Sequence, residues 1–312
     1  MLKCIYIGGR YCDGNPKLGG GPDYWVLHNT MRECSFIDMV DVIFYDMPLK
    51  AGYTDINDQI LDSCRENKPD FIFYMYTYPS WGLNPEVLKL IRYRFHIPVI
   101  GCVGDTNSEF LKGLSKLVSS YCSLAFCLDG SDYSKEYLHV PTLYSACSKT
   151  YYDDGRERDI DVSFIGNISK FRGEFLNGIS KEIPVFTSSG LRKTFLSQDE
   201  YADILRRSKI TISFPRDIPD SFQRKGRPLE AMKCGAILAE EFNPVPHYYK
   251  AHEEYIVLNI HDPKESASII KNHLEHPQLL DKIRKTNKEM VETVYTSDNF
   301  WKEITQKAGL YV

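Results

Sequence analysis

The chain lacks a strong net charge, long apolar runs and paired cysteines. It carries 38 Lys and Arg against 42 Asp and Glu, a net charge of −4. That balance gives no overall electrostatic footprint for nucleic acid and leaves room only for a local basic patch. No apolar stretch approaches the length that crosses a bilayer. The first apolar run, at residues 2–7, is too short for a secretory signal. Nine cysteines make an odd count, with no Cys-x-x-Cys and no Cys–His spacing suited to zinc. Cys4, Cys102 and Cys127 sit in apolar runs and read as small core residues. Reduced thiols and a cytoplasmic location are therefore expected. His-x-x-x-His, Gly-x-Ser-x-Gly and a Walker-type Gly-Lys-Ser/Thr are all absent.

What is present is a strand–helix alternation that runs twice. With 312 residues, the chain is long for one core and suits two domains. Strands are predicted at 2–7, 40–45, 71–76, 99–103 and 124–128, with helices at 23–33, 56–65, 85–95, 108–119 and 131–139. The polar stretch 149–159 has linker composition. Strands are then expected at 162–165, 184–186, 210–214, 236–239 and 255–258, and helices at 170–179, 199–207, 228–234 and 264–273. The stretches 277–294 and 298–308 read as helical, and no internal sequence repeat is visible. This is an α/β protein with two doubly wound parallel sheets. The boundaries expected are 1–155, 156–297 and a terminal segment 298–312. Ligands bind at the carboxyl ends of such strands, so two sheets can share a cleft.

Four constellations fall at strand ends. Gly8, Gly9, Gly20 and Gly21 bracket the loop after the first strand, where glycine lets backbone approach a ligand. Gly166 and Asn167 end a strand of the second half, and Lys170 and Arg172 follow on a helix, a strand–turn–helix anion cradle. Arg224, Lys225 and Arg227 lead into a short helix that opens with Pro228 and stops at Gly235. Free N–H groups and the positive dipole end favour an anion there. Glu230, one turn on, can accept from the hydroxyls of a ribose or simply complement the dipole. Asp105 and Asp129 follow strands of the first half and suit either a base or a helix cap, the cap being favoured for Asp129. Asp159 and Asp161 form an Asp-x-Asp at the start of a strand, a poor metal cage without further ligands.

The second half resembles the CgeB-like group (spore-maturation protein type) of GT-B glycosyltransferases. The residues that carry the likeness run from about Asp159 to Ile304. They are Asp161-Val-Ser-Phe-Ile-Gly-Asn with Arg172, Glu200-Tyr201 with Ile204-Leu205, Ser208-Lys-Ile-Thr-Ile-Ser, Arg227-Pro-Leu-Glu-Ala-Met-Lys-Cys-Gly-Ala, the stretch 255–270 and Val294-Tyr-Thr. Leu143-Tyr-Ser-Ala-Cys-Ser faintly resembles the end of the group's first domain. The resemblance implies two facing Rossmann-like domains with a cleft between them, a nucleotide-sugar donor held mainly by the second, and no required metal. It gives Glu230 the donor ribose, and Arg172 with Arg227 or Lys225 the diphosphate. It has the Gly8–Gly21 loop close on the donor and the last helix cross back to the first domain. One departure stands out. Many retaining GT-B enzymes carry a Glu eight positions before the ribose Glu, where this chain has Phe222, with Asp220 the nearest acid upstream.

The activity expected is sugar transfer from a nucleoside-diphosphate sugar, UDP-sugar first, to an acceptor hydroxyl. Arg172 and Arg227 would stabilise the leaving diphosphate. A retaining reaction needs no enzymic base, whereas an inverting one would use Asp105. A non-catalytic nucleotide-sugar-binding module and a GT-B-fold epimerase are the alternatives. The acceptor can be a glycan, a lipid-linked sugar, a protein, a small molecule or a modified DNA base.

Overall fold

The computed structural model describes residues 1–21, 24–76, 84–104, 109–130, 137–143, 148–188, 196–216, 222–245 and 247–311. Asp105, Asp220, the first residue of each helix expected at 23–33 and 108–119, and most of the helix expected at 131–139 lie outside the described residues. The chain divides into two compact units, Met1–Ser148 with Ser297–Val312, and Lys149–Thr296.

The first unit holds strands β1 (Leu2–Gly8), β2 (Ile37–Phe44), β3 (Phe71–Tyr76), β4 (Val99–Val103) and β5 (Leu124–Cys127). All pair in parallel, in the order β2-β1-β3-β4-β5. Every residue of β3 and of β4 is buried. Continuous apolar strands of this kind need both faces covered, which α-helical crossovers supply. Those are α1 (Asn29–Glu33), α2 (Ile56–Asn67), α3 (Pro85–Arg94) and α4 (Glu109–Tyr121). Asp55 and Asn84 cap α2 and α3 by accepting from backbone N–H groups two residues on. The helix expected at 23–33 is present from Tyr24 onward, with a wide-turned first part. Tyr24–His28 form one wide turn and only then does α1 follow. Within it the Thr30 hydroxyl donates to the carbonyl of Val26, one turn back, at 2.5 Å.

The second unit repeats the scheme with β6 (Ile160–Ile165), β7 (Phe186–Ser188), β8 (Ser208–Ile212), β9 (Ile237–Glu241) and β10 (Ile256–Leu258), again all parallel. Their order is β10-β9-β8-β6-β7. Counted within each unit, both sheets read 2-1-3-4-5, the flavodoxin-like arrangement. Its order reverses between β1 and β3 in the first unit and between β6 and β8 in the second. Helices α5 (Lys170–Ser180), α6 (Gln198–Arg207), α7 (Arg227–Lys233), α8 (Pro263–Glu275) and α9 (Pro277–Thr293) join and cover the strands. Ser197 and Glu200 form a reciprocal capping box on α6, and Asp262 caps α8 ahead of Pro263. The β7 strand starts two residues later than expected, because Pro184 has no N–H for the ladder. The β9 strand runs on through Glu240 and Glu241, both buried, where its expected end was Ala239.

The last helix, α10 (Ser297–Lys307), packs into the first unit. Trp301 is wholly buried there, edge-on to Phe73 at 5.5 Å, and its Nε1 donates to Thr30 Oγ1 at 3.1 Å. Asp298 accepts from the Ser35 backbone N–H at 2.7 Å and hydroxyl at 2.6 Å. Glu303 accepts from Thr142 N and Oγ1 and from Leu143 N at 2.6–3.1 Å, with His139 Nε2 at 3.4 Å.

Candidate active site

The site expected in the second unit assembles at the carboxyl ends of β6 and β8, the point where strand order reverses and such sheets bind ligands. At the end of β6, Gly166 has φ +147, a backbone conformation that L side chains rarely adopt. An added Cβ would lie 2.8 Å from Nη2 of Arg227 and would push that guanidinium aside. The chain then turns through Asn167, exposed, into α5, whose first residue Lys170 is exposed too.

Arg172 lies half-buried on the first turn of α5. Its Nη1 donates to the Asn167 carbonyl at 3.1 Å and its guanidinium stands over Phe214 at 5.4 Å. Arg227, the first residue of α7, lies over Phe164 of β6 at 5.6 Å and donates through Nε to Tyr201 Oη at 3.3 Å. Burial depresses the pKa of Arg172, and the like charge of Arg227 depresses it further. Two guanidiniums that repel each other at the mouth of a parallel sheet form a place for an anion. Helix α7 has only seven residues, with Pro228 second. The full charges of the arginines therefore outweigh its partial dipole.

Behind Arg227 lies a chain of hydrogen bonds. Tyr201 Oη donates to Glu230 Oε2 at 2.7 Å. Burial, and then the Glu230 charge, hold the Tyr201 phenol well above its ordinary pKa, so it remains a donor. Burial pushes the Glu230 carboxyl up as well, against the pull of Tyr201 and Arg227. For Arg227, burial acts against the charge, but Tyr201, Glu230 and Glu240 outweigh it and the pKa is raised. Lys225 donates its ammonium to the side chain of Gln223. Arg224 is buried at 2% exposure. Phe222 stacks under Arg216 at 4.8 Å, and Arg216 forms a two-point ion pair with Glu241 at 2.9 Å on each arm.

In the first unit, the Gly8–Gly21 loop is a closed structure. Asp46 accepts from the backbone N–H of Arg10 and Tyr11 at 2.7–2.9 Å, Tyr11 bridges Gly20, and Trp25 Nε1 donates to the Gly20 carbonyl at 3.0 Å. A Cβ on Gly20 would lie 2.4 Å from the Trp25 ring, which gives that glycine a packing role of its own. Gly8 lies against Tyr6, Gly9 against Tyr45 and Gly21 against the Tyr11 backbone. Arg10 stacks on Tyr24 at 4.0 Å, and Tyr24 stacks on the buried His28 at 4.6 Å. Asp129 is buried at the end of β5. Asp159 and Asp161 are exposed at the start of β6 and pair with Arg207 and Lys209 at 2.6 Å. No group of three His, Cys, Asp or Glu among the described residues is placed to hold a metal. No described helix is long and apolar enough to cross a membrane. The eight described cysteines are free thiols.

Comparison with known proteins adds a family and a fold. Residues 159–306 match the family model described as glycosyl transferase-like. That segment is similar to glycosyl transferase-like domains. It marks the chain as an enzyme of the transferase kind, and the domain includes Gly166, Arg172, Tyr201, Arg227 and Glu230. Curated protein sequences give no match. Among solved structures, HepE of Anabaena, in complex with UDP and glucose, is similar at a TM-score of 0.64 and 13% identity, over 99% of this chain and 100% of that one. Sucrose-phosphate synthase of Thermosynechococcus elongatus is similar at 0.64 and 13%, over 99% and 98%. An alpha-glucosyltransferase in complex with UDP and a 13-mer DNA reaches 0.66 at 13%, over 99% of each chain. These likenesses show the fold: two Rossmann-like units of the GT-B type.

Two residues of the transferase-like domain carry no role in the sequence reading. Tyr201 stands in the motif that supports the resemblance, yet only the structure joins it to Glu230 and Arg227. Glu240 is wholly buried at the end of β9, and Tyr248 donates to its Oε1. An acid that closes an apolar strand run, Ile237-Leu-Ala-Glu, was the available signal.

Proposed function

We propose that the second unit binds a nucleoside-diphosphate sugar, UDP-sugar in the first instance, and that the chain transfers the sugar to an acceptor hydroxyl. The observation that supports this best is the pairing of Arg172 and Arg227 at Gly166, with Glu230 held one turn along α7. In this reading the two guanidiniums take the diphosphate, and they stabilise the negative charge that grows on it as the glycosidic bond breaks. Asn167, Lys170 and Lys225 border the same anion. Tyr201 occupies one oxygen of Glu230 and leaves the other to accept from the ribose hydroxyls. The UDP bound in HepE and in the alpha-glucosyltransferase supports the choice of nucleotide. The DNA in the latter keeps a base-borne hydroxyl among the acceptors, beside glycans, lipid-linked sugars, proteins and small molecules.

The arginines supply the positive charge that other transferases draw from a cation, so the reading needs no resident metal. Retention is the stereochemistry proposed. The acceptor then attacks on the face that the diphosphate leaves, and the departing phosphate oxygen takes its proton. Were the product inverted, Asp105 would be the base. The finer kinship with CgeB-like transferases rests on the motifs quoted above. Free thiols in both cores fit a reducing compartment, the cytoplasm.

A panel of nucleotide sugars screened by thermal shift tests the donor. At about 100 times Kd, a true donor adds about 2.7 kcal/mol of stability. Transfer of label from that donor is then followed in wild type and Arg227→Ala. A loss of about 10²–10³ in kcat is expected, and an unchanged rate would end the assignment.

A further inference from the structure

Residues 149–159 have the composition of a loose linker, yet they are built onto the second unit as a strap. Consecutive residues dock on α6. Arg206 of that helix, itself buried, donates through Nη1 to the Thr150 carbonyl at 3.5 Å and lays its guanidinium over the Tyr152 ring at 4.8 Å. Between these two anchors Tyr151 turns inward and is only 6% exposed, whereas Tyr152 is 52% exposed. The Tyr151 ring meets the ring of Tyr201 edge to face, with centroids 6.1 Å apart at 89°. Tyr201 is the residue whose hydroxyl donates to Glu230 Oε2 at 2.7 Å and accepts from Arg227 Nε at 3.3 Å. Further along the strap, Arg156 bridges Asp154 at 2.6 Å and Asp203 at 2.7 Å, and Arg158 grips the carbonyls of Arg206 and Cys234. Those contacts fasten the strap to the fold. Tyr151 reaches a side chain of the candidate site and has its own anchors on Arg206, apart from Arg158.

A phenol on a helix can tilt about its side-chain bonds, and the plane of its ring sets where the hydroxyl stands. An edge-to-face neighbour restricts that tilt, because the positive edge of one ring prefers the negative face of the other. The Tyr201 hydroxyl donates one hydrogen bond and accepts another, so a tilt that keeps one loses the other. At 3.3 Å the Arg227 contact is already long and would go first. We infer that Tyr151 is a positioning residue of the donor site: from the strap between the units it holds Tyr201 in the plane from which its hydroxyl serves Glu230 and Arg227 together. The inference rests on the donor reading above. Coupling of this kind is reciprocal. A nucleoside diphosphate that fixes Glu230 and Arg227 also fixes the Tyr201 ring, and so seats the strap more firmly.

The test titrates UDP into the full chain by calorimetry. Tyr151→Leu fills the space without a ring and should raise Kd about 3- to 10-fold. Tyr151→Phe keeps the ring and should bind within about twofold of wild type. In a Tyr201→Phe background, Tyr151→Leu should change Kd by less than about twofold, since no hydroxyl remains to be aimed. A role in the fold alone would weaken binding equally in both backgrounds. An additive loss in the double variant, or a loss in Tyr151→Phe as large as in Tyr151→Leu, overturns the inference. If Tyr151→Leu does not fold, amide exchange decides. Saturating UDP should slow exchange in residues 149–158 of wild type about threefold or more, and that slowing should disappear in Tyr201→Phe saturated with UDP. Exchange that UDP leaves unchanged in wild type, or slows equally in both proteins, overturns it too. If UDP binds wild type and Tyr151→Leu equally well, this inference falls and the donor reading stands. If UDP does not bind wild type at all, the donor reading itself falls, and this inference falls with it.

Discussion

Replacing Arg172 by Met separates a residue kept for a ligand from one kept for the fold. Met retains an apolar stem over Phe214 and removes the charge. In the empty protein the substitution loses, among its contacts, the hydrogen bond to the Asn167 carbonyl at 3.1 Å and a stacking contact at 5.4 Å. Each is worth about 0.5–1.5 kcal/mol. Against that loss, it removes a half-buried charge and its repulsion with Arg227. The two sides nearly cancel, so unfolding without ligand should change by less than about 1 kcal/mol. With UDP present, the variant lacks a charge-assisted contact to phosphate worth about 1.5–3 kcal/mol, or about 10- to 150-fold in Kd. Arg158 is the control. It donates to the carbonyls of Arg206 at 2.6 Å, Ser208 at 3.2 Å and Cys234 at 3.0 Å, and to Asp153 at 2.8 Å. Arg158→Met strands those acceptors and should cost about 3–5 kcal/mol of stability, while the molecules that remain folded bind UDP normally. Urea unfolding with and without UDP, together with calorimetric Kd values, reads all four quantities. The reasoning is refuted if Arg172→Met unfolds as readily as Arg158→Met, or binds UDP within twofold of wild type.

Three further outcomes are expected. Tyr201→Phe removes the donor that orients Glu230 at 2.7 Å and should weaken UDP about tenfold, by calorimetry, while a substrate lacking ribose hydroxyls is affected less. Glu303→Gln tests the seat of α10. Burial raises that carboxyl, but hydrogen bonds from His139, Thr142 and Leu143 outweigh it and bring it down to about 2. A depressed carboxylate stabilises the fold above its unfolded value and loses that contribution as pH falls toward 2. The variant should therefore be less stable by up to about 3 kcal/mol at pH 7, with the gap closing between about pH 4.5 and pH 2, as read by denaturant melts. Trp301→Ala leaves a cavity beside Phe73 and should cost about 3–5 kcal/mol of the first unit's stability, with exchange protection lost in β3.

Much of the architecture is legible in the sequence because parallel strands buried on both faces must be apolar throughout. Phe71–Tyr76 and Val99–Val103 can be read directly for that reason. Misreadings fall where local chemistry overrides periodicity. Pro184 delays β7, and β9 runs on through two buried acids. Of the site proposed in the second unit, Gly166, Arg172, Arg227 and Glu230 stand out in the sequence, since they follow strand ends in a recognisable order. Tyr201 does not, because tyrosine at helical spacing looks like core until its hydroxyl is seen to meet Glu230. Nor does Glu240, since a strand-end acid reads as solvated unless burial is known. The glycines after β1 show a different gap. Their spacing suggests backbone open to a ligand, and only the rings of Tyr6 and Trp25 reveal the packing that also requires them.

The seat of α10 in the first unit sets the order in which the chain can mature. Small domains ordinarily fold as they leave the ribosome, the earlier one first. Here the strands of the first unit emerge early but wait without Trp301 until the polypeptide beyond Thr296 has been made. The second unit, continuous from Lys149 to Thr296, is complete before then. A nascent chain that has emerged only as far as Thr296 should hold a finished second unit and an unfinished first one, whose exposed Phe73 and Phe126 invite a chaperone.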